Sequence, residues 1–104
     1  MDPIVIDLTN TPLEETTAAT SFAMGVENLL MSMFTAGFDI PTTVKGTQKQ
    51  IDSFFRALKN EKRYMDSYLK HGLGDSRTMM NKMDLDRAVN NFSRETGLRW
   101  PFKN

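Results

Sequence analysis

"TQKQIDSFFRALKNEKRYMDSYLKHGLG", residues 47–74, is the stretch on which the fold turns. Thr47 and Gln50 make a Thr-x-x-Gln capping box, in which each side chain satisfies a backbone N–H at the helix start. Ile51, Phe54, Phe55, Leu58, Met65 and Leu69 follow at helical spacing and define an inner face. Gly72 ends the run. Lys70 and His71 occupy the last turn, where cations suit the helix dipole, and Leu73 is placed for a Schellman-type contact. The spacing predicts a helix over 47–71 of about seven turns.

Two features of this helix bear on function. Lys49, Arg56, Lys59, Arg63 and Lys70 share a broad outer face, broken by Asp52 and Asp66, with Tyr64, Tyr68 and His71 close by. Cations mixed with aromatics can neutralise phosphates and stack on bases. The ordinary alternative is a solvated face of alternating charge. Lys62 falls near the middle of the apolar stripe, where an unpaired ammonium is disfavoured. The expected partner is Glu27, the only charged residue between Glu15 and Asp39, within one chain or between two. A lysine that snorkels at the helix edge is the alternative.

Upstream, Thr11, Pro12 and Glu14 carry the signature of another capping box. Phe22, Val26, Leu29, Leu30, Met33 and Phe34 then recur as one stripe, and Gly37 with Pro41 should stop the helix, giving a span of 11–38. Met24 and Met31 lie off that stripe, seven residues apart on one face. Glu27 apart, the exterior is uncharged between residues 16 and 38. Solvated helices carry more charge, so a second buried surface is expected there, and methionine adapts well to partners. Glu27 and Asn28 at the centre of residues 19–38 argue against a membrane span.

"PIVIDL", residues 3–8, alternates weakly and suggests a short strand within an extended arm over 1–10. With "DIPTTVKG" (39–46) read as a connecting loop, the strand has no partner nearby; it stays an ordered arm, or pairs with another chain or the C-terminal tail. Downstream, Asp75 or Ser76 opens a helical segment over 76–96. Met79, Met80 and Met83 do not share a stripe with Leu85, Ala88, Val89 and Phe92, which predicts a break near Asp84. Gly97 ends the segment. The tail, 97–104, carries Trp100 and Phe102, which either close the end of the bundle or hook into a neighbour. The expected fold is all-α: a single three- to four-helix small domain with a short extended N-terminal arm and an aromatic C-terminal tail.

The net charge of zero conceals an asymmetry. Residues 1–43 hold six acids and no Lys or Arg, whereas residues 44–104 hold all thirteen basic residues against seven acids. One part lying on the other would neutralise both; a basic surface for an anion is the alternative. The absence of cysteine removes disulfides and thiolate metal sites and fits a reducing cytoplasm, and no secretory leader is evident. His71 has no second histidine near it, Asp84 and Asp86 point apart on a helix, and no serine sits in a nucleophile elbow. Neither catalysis nor a metal or cofactor is expected.

These features point to a small cytoplasmic interaction protein that forms homo-oligomers and binds a macromolecular partner, as an adaptor or inhibitor. Met24, Met31, Trp100 and Phe102 are the expected interface. Nucleic-acid or anionic-nucleotide binding through Lys49, Arg56, Lys59, Arg63, Tyr64 and Tyr68 is the first alternative. A structural subunit of a larger assembly, exchanging its arm and tail, is the second.

Overall fold

The computed structural model describes residues 4–9, 17–35 and 42–102. Its elements run β1 (Ile4–Asp7), α1 (Thr17–Thr35), β2 (Thr42–Lys45), α2 (Gln48–His71) and α3 (Ser76–Thr96). Helices dominate, as the sequence predicts, and one short two-stranded sheet joins them. The capping residues Thr11, Pro12 and Glu14, and the stop at Gly37 and Pro41, lie outside the described residues.

The loop expected over 39–46 requires correction, because residues 42–45 form a strand. β1 and β2 pair in parallel, with Ile4 opposite Thr42 and Asp7 opposite Lys45, and the Leu8 N–H continues the ladder to the Lys45 carbonyl at 2.8 Å. The strand expected in the N-terminal arm therefore has a partner within its own chain, β2. Parallel strands need a long crossover, and α1 supplies it. Ile4 and Ile6 turn inward while Val5 faces out. Helix α1 crosses β1 closely at Gly25, where an added Cβ would stand 3.2 Å from Ile6 Cδ1 and 3.7 Å from the Val5 carbonyl oxygen.

The start of α2 is as expected. Thr47 Oγ1 accepts from the Gln50 N–H at 3.2 Å, and Gln50 Oε1 accepts from the Thr47 N–H at 2.9 Å. Its inner face is rotated from the expected one: Phe54, Ala57, Leu58 and Glu61 are buried, whereas Phe55 is 43 % and Leu69 73 % exposed. Beyond Glu61 the only buried side chain of α2 is Ser67. Gly72 ends the helix at φ 83° and ψ 167°, and Leu73 is exposed instead of folding back in a Schellman contact.

A break near Asp84 is also corrected: α3 is continuous from Ser76 to Thr96. Met79, Met80 and Met83 are all exposed, so one stripe of Thr78, Leu85, Ala88, Phe92 and Thr96 suffices. Asp75 caps its start, and Gly97, in the left-handed region at φ 74°, turns the chain back at its end. A short connection makes α2 and α3 an antiparallel hairpin, tied near its turn by the Ser67–Thr78 hydroxyl pair at 3.1 Å.

The core gathers Ile4, Ile6 and Leu8, the α1 stripe of Phe22, Val26, Leu29 and Leu30, and Phe54, Leu58, Ala88 and Phe92 from the hairpin. Leu98 and Trp100 close it. Phe22 stacks on Phe92 with centroids 5.8 Å apart, and Trp100 meets Phe92 edge-on at 5.2 Å. Such ring pairs add to the gain from simple burial.

Candidate functional site

Where α2 and α3 lie side by side, their outer surfaces leave an open groove of about 590 Å³. Helix α2 contributes Phe55, Arg56, Lys59, Asn60 and Arg63, and α3 contributes Asp84, Arg87, Ala88 and Asn91. The local reason is periodicity. Residues 56, 59, 60 and 63 recur at three and four positions and so share one edge of α2, the edge beside the buried line of Ser53, Ala57 and Glu61.

Four cations face one carboxylate in this groove. Asp84 Oδ1 stands 3.8 Å from Arg87 Nη1, at the limit of an ion pair, and both side chains are well exposed. An exposed pair of this kind is worth little, so it leaves Arg87 available to another anion. Asn60 is steadied by its own helix, its amide nitrogen donating to the Arg56 carbonyl at 2.8 Å. Phe55 offers a partly exposed ring against the groove, its inner edge packed on Phe54 at 5.3 Å.

Not all the residues expected to bind an anion meet here. Arg56, Lys59 and Arg63 do. Lys49 lines a smaller adjoining cleft with Asp52, Arg56, Asn91 and Glu95. Tyr64 lines a separate, largely apolar cavity of about 240 Å³ with Leu73, Met79 and Met83, and Tyr68 is exposed. Lys70 and His71 border a third cleft near the turn of the hairpin, with Arg77 and Asp84. There Arg77 is held by Asp75, donating from Nε at 3.0 Å and from Nη2 at 3.1 Å. The same contact, with the Arg77 backbone N–H, lowers the Asp75 carboxyl to about 2.

The expected interface residues separate into two kinds. Met24 and Met31 stand out from α1, 57 % and 65 % exposed. Trp100 is corrected as an interface anchor: it is only 5 % exposed and packs into the core of its own chain. Its indole N–H donates to Glu61 Oε1 at 2.9 Å, and Phe102 rests half-buried against it, centroids 6.0 Å apart. The tail is a lid.

Within one chain the Glu27–Lys62 pair is also replaced. Lys62 donates to Asp66, one turn along α2, at 2.8 Å, and lies 5.1 Å from the centroid of the Phe34 ring. Glu27 is exposed. The charged residue in the buried stripe is Glu61, fully inaccessible, so the stripe passes one position earlier than the sequence suggested.

Sequence reasoning missed Arg87, Asn91 and the groove-facing side of Phe55. The spacing of Arg87 and Asn91 along α3 was legible, but which α2 residues they face depends on how the two helices pack. Among the described residues no cluster of three or more His, Asp or Glu is arranged to hold a metal, and no helix is long and apolar enough to cross a membrane. Comparison with protein-family models, curated proteins and solved structures gives no match.

Proposed function

We propose that this chain is a non-enzymatic interaction protein that associates with copies of itself through the outer face of α1 and serves a macromolecular partner as an adaptor or inhibitor. The observation that carries the reading is the exposure of Met24 and Met31 on a helix face whose only charge is Glu27. Exposed large apolar side chains at helical spacing are costly to hydrate and gain by association. Methionine suits such a face because its unbranched side chain adapts to the opposing surface.

The test is a double variant, Met24→Glu with Met31→Glu. Both side chains are exposed, so the fold tolerates the change, while two carboxylates at the centre of an interface oppose its burial. Circular dichroism is expected to stay helical while the mass in solution falls to that of one chain. An unchanged assembly in the variant would exclude α1 as the assembly face.

A second reading, binding of nucleic acid or an anionic nucleotide through the basic second helix, draws support from the gathering of Arg56, Lys59 and Arg63 in one groove. The exchanged-arm subunit draws less, since β1 pairs with β2 and Trp100 docks on Glu61 within one chain.

A further inference from the structure

We infer that the groove between α2 and α3 is a nucleotide site, in which Arg56, Arg63 and Arg87 take phosphate and the Phe55 ring takes a base. The inference rests on the second reading above and adds to it a place, a second helix and an aromatic platform.

Three features of the groove select this chemistry. The first is the kind of cation. Three of the four are arginines, whose planar forks match phosphate oxygens in pairs, and they come from both walls of the groove. The second is Phe55. A purely electrostatic surface has no use for an exposed ring among guanidinium groups, whereas a base presents a π-face to stack on it. The third is the pair of amides, Asn60 on one wall and Asn91 on the other, which can donate to and accept from a base edge.

The groove is also part of a longer track. It shares Arg56 and Asn91 with the cleft that holds Lys49, and Asp84 with the cleft that holds Lys70 and His71. From Lys49 to Lys70 the track follows α2 for roughly 30 Å. Arg56 and Arg63 are about 10 Å apart along it, room for more than one phosphate. A track of this length fits a single strand, of which one nucleotide occupies the groove; a free nucleotide would use the groove alone.

The experiment is fluorescence anisotropy of a labelled oligothymidylate with the full chain, read across a salt series, with a free mononucleotide and inorganic polyphosphate as competitors. Binding at low salt is expected to weaken steeply as salt rises. Arg63→Gln and Arg87→Gln should each weaken it several-fold and reduce the logarithmic salt slope by about one. Phe55→Leu should weaken it about tenfold with the slope unchanged; circular dichroism of each variant checks that the helices persist. Competition by the mononucleotide at equal nucleotide concentration would identify a free nucleotide as the source, and its failure to compete would identify a strand; either supports the site. If Arg63→Gln weakens binding while Arg87→Gln and Phe55→Leu do not, or if polyphosphate competes as well as the oligonucleotide, the groove assignment is overturned and only a basic helix remains. If the oligothymidylate and the mononucleotide both fail to bind at low salt, the second reading falls with it.

Discussion

Glu61, midway along α2, and Trp100, beyond the end of α3, meet in the core, one hydrogen bond of 2.9 Å joining them. A carboxyl group taken out of water needs such a donor, and the indole N–H needs an acceptor, so each residue explains the other's burial. Trp100→Phe keeps the ring and removes the donor; it is expected to lower the free energy of unfolding by about 1–3 kcal/mol in a denaturant titration. Glu61→Gln, which keeps an acceptor, should cost less. The partnership was hidden in the sequence. The apolar run invited Phe55 and Leu69 into the stripe and so drew attention to Lys62, when the true stripe is 54, 57, 58 and 61. At Asp75 the pH dependence has a definite sign. Its carboxyl is lowered from 3.8 to about 2 in the folded chain, chiefly by the Arg77 side chain. A lowered carboxyl stabilises the fold above its ordinary value and loses that contribution as pH falls toward about 2. The thermal midpoint of Asp75→Asn should therefore show a smaller drop on acidification than that of the parent, and added salt should narrow the difference, since the pair is exposed.

At the scale of elements, helices were legible and the sheet was not. The Thr47–Gln50 box, Asp75 and the glycines at 72 and 97 act within one turn of chain, and the structure places the ends of α2 and α3 at these residues. Strand β2 has no comparable local mark. Its partner lies across the whole α1 crossover, and a parallel pair has no tight turn to announce it. The break expected at Asp84 does not form for another reason: Met79, Met80 and Met83 face solvent and impose no second buried stripe. Gly46 couples the sheet to α2. An added Cβ there would stand 2.9 Å from Gln50 Oε1 and 3.2 Å from Leu8 Cβ. Gly46→Ala should push Gln50 out of the capping box and destabilise the chain by about 1 kcal/mol. In a Gln50→Ala background the same substitution should cost less, because the displaced side chain is gone.

For the whole molecule, the distribution of surface matters more than its total. The ion pairs between described residues lie within 62–87, while the acids at 2, 14, 15 and 39 lie outside the described residues. The basic second part presents Arg56, Lys59 and Arg63 in a groove and Lys49 in the cleft beside it, while α1 presents an almost uncharged face on another element. The sequence announced both surfaces through charge asymmetry and methionine placement. It did not show that α3 completes the groove with Arg87 and Asn91, because that depends on the packing register of two helices, nor that the tail seals its own core. In the proposed assembly α1 is covered by another copy of the chain. The native mass of the 104-residue chain, measured by mass spectrometry under gentle conditions, is the decisive test. A defined multiple of the 11.9 kDa chain is the predicted result; a single chain at every concentration examined would contradict it.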